Sequence, residues 1–258
     1  MESSEIKTAF LKWNKAHRRN AWRVSIDNTI ADSFSWFGGH PTATADCAWP
    51  TCAECTKPMR FFLQLDLASL PEQFDAPLRE GILQLFYCSS DDGMCDTWEA
   101  FSGTHELRLV QKSEAECACP ETVSSFAKSV ISDWQIIEDA PSPVEHENLG
   151  IKYDYDFTKN VVSVAAPEYG IELSDLNINL NVAEAISESN AGDKLGGWPA
   201  WVQGPEYPQC PKCQQSMDLL FQLDSNDNLD YMFGDVGCAH ITQCRDHPRV
   251  LAFAWACG

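Results

Sequence analysis

The sequence predicts an α+β protein in which two similar β-rich halves are accompanied by a few helices. Three observations favour this class: a motif that occurs twice, a Cys-x-x-Cys pair inside each copy, and apolar runs of strand length after each pair. The chain has 258 residues, of which 44% are hydrophobic, so it can bury a core and is not a disordered acidic tail. We expect the halves, each with a zinc-ribbon-like cysteine knuckle, to form one compact unit.

The repeated motif begins at a Gly-Gly-x-Pro turn and ends in Gln-Leu-Asp. The two copies occupy residues 38–66 and 196–224, and every matched pair is 158 positions apart without a gap. A constant offset over this length indicates a duplicated structural unit. Gln64 and Gln222 stand within apolar runs, where a buried amide must find hydrogen-bond partners. We expect each glutamine to hold backbone, such as the Gly-Gly turn of its own copy.

One helix and several strands are predicted around the two copies. Residues 3–19 place Ile6, Phe10 and Trp13 at helical spacing, which predicts an amphipathic helix packed on the core. Apolar runs of strand character follow each copy. The predicted strands are 82–88 and 107–110 after the first copy, and 229–233 and 250–255 after the second.

The segment between the copies, residues 113–194, is acidic, with 16 Asp and Glu against 4 Lys and Arg. Its predicted elements are a helix over 123–137, strands over 161–165 and 171–180, and an exposed loop over 140–150. The predicted units of the chain are 1–112 (helix and first repeat), 113–194 (acidic bridge) and 195–258 (second repeat). The acidic bridge is either a solvated face or a surface that binds a basic partner.

Twelve cysteines give the strongest chemical signal, and in a reducing cytoplasm they indicate metal ligands before disulfides. A Cys-x-x-Cys turn presents two thiolates to one ion, and a second, spaced cysteine pair follows in each copy. The sequence therefore predicts two closed, structural Zn²⁺ sites. The predicted ligands are Cys52, Cys55, Cys88 and Cys95 in the first site, and Cys210, Cys213, Cys238 and Cys244 in the second.

Several alternatives to this ligand assignment stay open. His240 lies two residues after Cys238 and could substitute for a thiolate in the second site. Cys117 and Cys119 could replace the spaced pair of the first site. Without metal, the cysteines would be buried reduced thiols or, in a less suitable sequence context, redox-active pairs.

The turn of the second copy carries a tryptophan-rich motif. Trp198, Trp201 and Gln203 follow the paired glycines, and tryptophan is enriched at binding hot spots. These residues are candidate partner contacts, with packing into the core as the alternative. The Gly-Gly turns themselves lack the lysine of a phosphate-binding loop.

Composition and motifs argue against several functional classes. A net charge of −20 disfavours nucleic-acid binding, because phosphates repel a carboxylate-rich surface. No run is long enough to span a membrane and residues 1–20 lack a signal-peptide core, so we expect a cytoplasmic protein, with secretion and disulfides as the alternative. No nucleophile elbow, metalloprotease or dinucleotide motif occurs. We therefore predict no enzymatic activity, the alternative being an enzyme with an unrecognised cleft.

The motifs of both copies resemble those of the YwqG-like family of uncharacterised bacterial proteins. The resemblance rests on residues 193–203, Cys210-x-x-Cys213, and residues 37–66. It implies an α+β fold of two related β-rich halves without established enzymatic activity, some members serving as immunity proteins beside toxins. The Cys-x-x-Cys and Gln-Leu-Asp elements are also similar to the eukaryotic programmed-cell-death-two proteins, which implies a chaperone for a ribosomal protein.

The expected function is non-enzymatic binding of a basic protein. Complementary charge accelerates encounter and suppresses wrong partners, which suits an acidic chain. We expect an immunity protein that neutralises a basic toxin. A chaperone for a basic ribosomal protein is the alternative.

Overall fold

The computed structural model shows a mainly antiparallel β protein and describes residues 3–44, 48–90, 95–156, 158–159, 161–165, 178–179 and 190–258. The described strands are β1 (Arg19–Ile26), β2 (Trp36–Phe37), β3 (Arg60–Asp66), β4 (Ile82–Tyr87), β5 (His105–Val110), β6 (Ser129–Asp139), β7 (Lys152–Asp156), β8 (Val161–Ala165), β9 (Ile178–Asn179), β10 (Lys194–Gly196), β11 (Asp218–Asp224), β12 (Cys238–Gln243) and β13 (Leu251–Ala256). The described helices are α1 (Ser3–Ala16) and α2 (Pro143–Asn148), with a 3-10 turn at Leu67–Ser69. The α+β prediction is therefore wrong, because strands dominate the described residues.

Ten strands form one antiparallel sheet in the order β13-β12-β11-β10-β1-β6-β2-β3-β4-β5. The sheet curls until its end strands meet, with the ring of His105 in β5 5.1 Å from the ring of Phe253 in β13. Strands β7, β8 and β9 form a separate small sheet. Curling hides sheet edges and turns one face of the strands toward a shared interior, so the large sheet is nearly a closed barrel. Among the residues described, no helix has the length and apolarity to cross a membrane.

The strand order mirrors the internal repeat. The first copy supplies β2 to β5 and the second supplies β10 to β13, and both sets run in the same order outward from the centre of the sheet. Strands β3 and β11 occupy residues 60–66 and 218–224, which correspond position by position in the two copies. The duplicated sequence therefore folds into duplicated strands.

The strand that leads into each copy pairs with the other copy. β1 precedes the first copy in the chain, yet it pairs with β10 of the second. β6 precedes the second copy, yet it pairs with β2 of the first. β1 and β6 also pair with each other along most of their lengths. The predicted boundary at residue 112 therefore falls between β5 and β6 of a single sheet, and the boundary at residue 194 falls within β10.

Two predictions for the acidic bridge are wrong. The expected helix over 123–137 is replaced by β6, whose β-branched residues favour a strand although its apolar spacing also fits a helix. The expected exposed loop over 140–150 contains α2, which begins at a proline, the residue best suited to a first helical position. Glu145 and His146 of α2 are buried.

The strand predicted over 229–233 is also wrong. This stretch is irregular and leads into a tight turn closed by a bridge between Phe233 and Gly237, in which Gly234 has a left-handed backbone with φ of +57°. The strand of the second copy begins only after the turn, as β12. The prediction failed because apolar residues lie both before β12 and within it, so the pattern does not show where the strand begins.

Several other elements are confirmed. α1 covers most of the predicted helix, and Trp13 on its inner face is 1% exposed, whereas the side chains of Ile6 and Phe10 lie outside the described part. β4, β5 and β13 match the predicted strands 82–88, 107–110 and 250–255 within one or two residues. β8 coincides with 161–165. Of the predicted strand 171–180, only Ile178–Asn179 lies among the described residues, as β9.

The two glutamines hold backbone as predicted. The Gln64 side chain accepts from the Thr42 N–H at 2.9 Å and donates to the Phe34 carbonyl at 3.0 Å. Gln222 makes the equivalent bonds, accepting from the Ala200 N–H and donating to the Gly192 carbonyl, both at 2.8 Å. Each amide thus joins the two ends of its own Gly-Gly turn. Both side chains are fully buried, so these bonds also remove the cost of unpaired polar groups.

Aromatic side chains from both copies fill the interior. The ring of Phe62 in β3 lies 4.8 Å from that of Tyr231, and the ring of Tyr87 in β4 lies 5.6 Å from that of Phe253 in β13. These tilted and edge-on pairs have the geometry that aromatic rings prefer. The core is therefore one cluster shared by the two copies, as the single sheet requires.

A buried ion pair fixes the junction between the centre of the sheet and the second copy. The Asp139 carboxylate at the end of β6 accepts from Lys194 Nζ in β10 at 2.7 Å, and both side chains are 0% exposed. The same carboxylate accepts from the backbone N–H groups of Trp198 and Asn190, both at 2.8 Å. Burial lowers the pKa of Lys194, and the Asp139 charge opposes that shift. The pair is thus surrounded by the hydrogen bonds that a buried charge needs.

Gly197 is the position where the junction tolerates no side chain. A Cβ there would lie 2.4 Å from Asp139 Oδ2 and 2.6 Å from the Ala21 Cβ, at a φ of +76°. We expect Gly197→Ala to lower the free energy of unfolding by about 2–4 kcal/mol, measured by urea denaturation. The matched control is Gly150→Ala, whose φ is +83° but whose Cβ meets nothing within 4 Å. It isolates backbone strain and should cost about 1–2 kcal/mol; equal losses in both variants would contradict a role for the contact.

Candidate metal centres

The first candidate metal centre is a group of four thiols beside the start of β3 and the end of β4. The Sγ atoms of Cys52, Cys55, Cys88 and Cys95 all lie within 4.8 Å of one another. Individual separations are 3.9 Å for Cys52–Cys95, 3.6 Å for Cys55–Cys88 and 4.0 Å for Cys88–Cys95. All four are free thiols, since a disulfide would bring two sulfurs to about 2.05 Å.

A tight backbone turn presents the Cys-x-x-Cys pair. The Thr56 N–H donates to the Cys52 carbonyl, and the Cys52 N–H donates to the Lys57 carbonyl. Thr56 has a φ of +59°, which lets the chain reverse immediately after the second cysteine. The second copy repeats this turn, with Gln214 at +61° and the corresponding bonds around Cys210. Each duplicated sequence therefore builds the same two-thiol knuckle.

The second metal centre combines three thiols with an imidazole. The ligand atoms of Cys210, Cys213, Cys244 and His247 lie within 4.8 Å of one another. Cys213 Sγ is 3.6 Å from Cys244 Sγ, and His247 Nδ1 is 3.9 Å from Cys210 Sγ and 3.8 Å from Cys244 Sγ. The structure thus brings together three of the four predicted residues and adds a histidine that the sequence reasoning missed.

Cys238 and His240 lie outside the second group. Cys238 Sγ donates to the Leu223 carbonyl at 3.5 Å, and His240 packs its ring 4.5 Å from that of Trp201. The reason is strand register: Cys88 directly follows β4, and its counterpart Cys244 directly follows β12, whereas Cys238 begins that strand. If the ligands that follow each strand are matched in order, Cys244 corresponds to Cys88 and His247 corresponds to Cys95.

The alternative ligands of the first site are not in its group either. Cys117 is disulfide-bonded and buried. Cys119 is a free thiol outside the four-sulfur group, and its N–H donates to His40 Nδ1 at 3.2 Å. Both spaced cysteines of the first copy, Cys88 and Cys95, occupy the places that the duplication favoured.

The separations in both groups fit tetrahedral coordination of one ion. Tetrahedral zinc with Zn–S bonds of about 2.3 Å places two thiolates about 3.8 Å apart. The observed sulfur separations of 3.6 to 4.0 Å bracket that value. Both groups can therefore hold a metal ion with four protein ligands, a closed arrangement that leaves no coordination position for a substrate.

In each knuckle, the surroundings of one cysteine favour its thiolate, the form that binds metal. Burial opposes ionisation of Cys55, but the Lys57 N–H and the neighbouring thiols outweigh it and lower its pKa to about 7. Cys210 follows the same pattern, with burial opposed by the N–H groups of Cys213 and Lys212, and its pKa is also lowered to about 7. Burial raises the pKa of Cys88 and, to about 11, that of Cys95. A cation would therefore be needed to hold all four thiolates together.

The predicted partner contacts occupy different environments. Trp198 is 4% exposed, donates its Nε1–H to the His17 carbonyl at 2.8 Å and is covered by the Arg19 guanidinium. Trp201 is half-buried and donates to the Glu145 carboxylate. Gln203 is exposed and bonds the Cys257 carbonyl. The structure therefore presents Gln203 at the surface and packs the Trp198 ring inside.

Comparison with known proteins gives a family. The sequence profile of a family described as "Domain of unknown function (DUF1963)" matches residues 35–246. The chain belongs to this family. A local similarity links it to the uncharacterized protein YpfL of Salmonella typhimurium strain LT2, with 56% identity over 34 residues. That match spans 13% of this chain and only 8% of the relative's length. The DUF1963 match spans both candidate knuckles and most of the large sheet.

Metal content distinguishes the structural ligand set from the one expected from sequence. Elemental analysis of the purified chain should find about two ions per chain, one for each four-ligand group. Cys52→Ser and His247→Ala should each reduce this to about one. Cys238→Ala should keep both ions, because that thiol lies outside the group. Loss of an ion in Cys238→Ala, or its retention in His247→Ala, would contradict the second centre.

Three other histidines are buried in the fold rather than arranged around the metal groups. Burial lowers the pKa values of His105 and His146 to about 4 and that of His240 to about 3. His146 also bonds the Pro141 carbonyl through Nε2 at 3.0 Å and packs against Trp13. Each is therefore neutral in the folded protein at neutral pH.

Because His146 is buried in its neutral form, the free energy of unfolding falls as the pH falls into the acid range. An unfolded histidine takes up a proton below about pH 6.5, whereas buried His146 does so only near pH 4, so unfolding becomes favoured as pH falls through that window. Between pH 7 and 5, the unfolding free energy of the wild type should fall by about 2 kcal/mol more than that of His146→Gln. Urea denaturation at both pH values measures the difference, and effects common to both proteins cancel. Equal slopes would contradict the prediction.

Proposed function

We propose that this protein is a zinc-stabilised, non-enzymatic protein-binding protein that captures a basic polypeptide. The observation that carries the proposal is the closed geometry of both four-ligand groups in a chain of net charge −20. Closed sites serve the fold rather than a reaction. A strongly acidic protein attracts cationic partners over a distance of about a Debye length, roughly 8–10 Å in ordinary salt.

Zinc is the metal we propose for both groups. Four thiolates, or three thiolates and one imidazole, are the donor sets of structural zinc, and this ion accepts tetrahedral geometry without an electronic penalty. Each ion would tie the start of one strand to the end of its neighbour, β3 to β4 in the first group and β11 to β12 in the second. Zinc binding would then contribute directly to folding. A reducing cytoplasm is the compartment in which these thiols stay available.

The remaining titratable groups support a non-enzymatic role. One surface cleft that could be considered as an active site has Arg60, Tyr87, Tyr231 and Trp255 among its lining residues. Burial raises the pKa of Tyr87 far above its usual range, so its hydroxyl stays protonated and is a poor base. Asp193, whose pKa burial raises to about 7, is held by the Asp224 and Asn228 N–H groups in a structural turn. These shifts arise from packing rather than from an arrangement around a substrate.

Toxin neutralisation is the form of binding that we favour. The resemblance of residues 37–66 and 193–203 to the YwqG-like family supports it, because that resemblance implies an immunity protein beside a toxin. Capture of a ribosomal protein is the alternative, supported by the knuckles that resemble programmed-cell-death-two proteins. Both partners are basic polypeptides, so both agree with the charge of this chain.

A genetic test separates these functions. Deletion of the gene should sensitise the cell to a basic toxin encoded beside it, and the wild-type gene should restore tolerance. In vitro, the association rate of the purified pair should fall about tenfold or more as salt rises from about 0.05 to 0.5 M, because long-range attraction is screened.

Other outcomes would contradict toxin neutralisation. If deletion leaves tolerance unchanged and one ribosomal protein binds the purified chain with the expected salt dependence, the chaperone function replaces it. If no basic protein binds more tightly at low salt than an acidic protein of similar size, capture of basic polypeptides is wrong. The binding measurements use the metal-loaded chain.

A further inference from the structure

The two copies differ most in the loop that carries the last metal ligand. In the second copy, residues 244–250 join β12 to β13 and include Cys244 and His247. In the first copy, residues 88–104 join β4 to β5 and include Cys88 and Cys95. The short loop shows that two ligands and a chain reversal need few residues. The additional residues after Cys95 are therefore not required to build a metal group.

Cys95 and the additional residues that follow it, 96–104, form what we call the aromatic loop, which is fixed at several points. At one end, Cys95 belongs to the first metal group. At the other, the Ala53 N–H donates to the Gly103 carbonyl at 3.0 Å. Between these points, the Trp98 carbonyl accepts from the Trp255 N–H of β13 at 3.2 Å, and Ala100 packs against the apolar cluster of Cys210, Met217, Cys244 and Ala252. The loop thus lies along the outer edge of β13 and runs from the first metal group to the apolar cluster that contains two ligands of the second.

The aromatic loop displays two large apolar side chains to solvent. Trp98 is 47% exposed and Phe101 is 49% exposed, although the backbone beside them is held in place. Phe101 has a left-handed backbone with φ of +63°, a conformation that is unfavourable for a non-glycine residue. The hydrogen bond to β13 is made by the Trp98 backbone carbonyl, so it does not depend on either aromatic side chain.

Acidic residues alternate with these aromatic side chains. Residues 88–104 contain four Asp and Glu and no Lys or Arg. Among them, Asp96 and Glu99 are exposed, and each lies within two positions of an aromatic residue in the sequence. The Asp96 N–H donates to the Glu54 carboxylate at 3.1 Å, which brings a third exposed acid to the base of the loop. The short loop of the second copy instead carries two arginines, Arg245 and Arg249.

We propose that the aromatic loop is the docking surface for a basic polypeptide segment, with Trp98 and Phe101 as the apolar anchors and Asp96 and Glu99 contacting its Lys or Arg side chains. The proposal rests on the proposed function, capture of a basic partner, and specifies where that capture occurs. Lysine and arginine suit this surface twice, since their heads pair with carboxylates and their cations or stems pack on aromatic rings.

The fixed backbone gives this surface its binding strength. Association is costly when a loop must be ordered, and a loop already ordered by a metal ligand and by β13 avoids that cost. Tryptophan is enriched among the few residues that dominate binding energies, and truncating such an anchor weakens binding by about thirtyfold or more. Metal in the first group would also support binding by holding Cys95, the first residue of the loop.

The test uses the zinc-loaded full chain and three labelled peptides of equal length: alternating Arg-Leu, alternating Arg-Ser and alternating Glu-Leu. The wild type should bind Arg-Leu at least tenfold more tightly than either of the others. The double variant Trp98→Ser/Phe101→Ser should lose at least tenfold in affinity for Arg-Leu, and Asp96→Asn/Glu99→Gln should lose several-fold. The matched control is Leu11→Ser/Ile136→Ser, which removes side chains that are 47% and 55% exposed elsewhere; its affinity should not change. Metal content and unfolding midpoints confirm that each variant is folded.

The outcomes separate the docking surface from the proposed function. If the loop variants bind Arg-Leu as tightly as the wild type, or no more weakly than the control variant, the docking surface is overturned while capture of basic segments stands. If the wild type binds neither basic peptide more tightly than Glu-Leu, both proposals are overturned. If Arg-Ser binds as well as Arg-Leu and only the acidic variants weaken it, the aromatic anchors are overturned.

Discussion

The buried ion pair between Asp139 and Lys194 is the constraint on which the arrangement of the two copies depends. Asp139 ends the central strand β6, and Lys194 begins β10, the first strand of the second copy. The carboxylate also orders the backbone at Trp198, beyond the glycine turn. Removing one partner of such a pair typically costs about 3–5 kcal/mol, because the other charge is left uncompensated. The pair therefore specifies one position of the second copy against the centre of the sheet.

The first copy makes the same glycine turn without an ion pair, which shows how the duplicated unit has diverged. Trp36 stands in the first copy where Lys194 stands in the second, and Gln64 and Gln222 hold both turns in the same way. The knuckles are likewise shared, whereas the loops carrying the remaining ligands differ in length and in one ligand type. What is common to the copies builds strands and metal groups. What differs lies at the centre of the sheet and on the aromatic loop, where the two copies have different neighbours.

The local features of the fold could be predicted from the sequence, whereas its long-range pairing could not. The offset of 158 positions identified the knuckles and the glutamine bonds, because each of these features is built from residues of a single copy. The class was wrong because β6 has apolar spacing that fits a helix as well as a strand, and only its pairing with β1 and β2 decides between them. His247 was missed because the fourth ligand of the first copy is a cysteine, so the internal repeat did not indicate a histidine. Cys238 was chosen instead because it is the first cysteine after an apolar run.

The exchange of leading strands has a consequence for the order in which the chain can fold during synthesis. β1 leaves the ribosome before β6 and β10, yet one of its edges pairs with β10 and the other with β6. The N-terminal half thus emerges with a strand whose neighbours do not yet exist, and unpaired edges invite wrong association. Metal capture by Cys52, Cys55, Cys88 and Cys95 requires none of the later residues. It would give the nascent chain an early ordered nucleus around β3 and β4 while β1 waits for its partners.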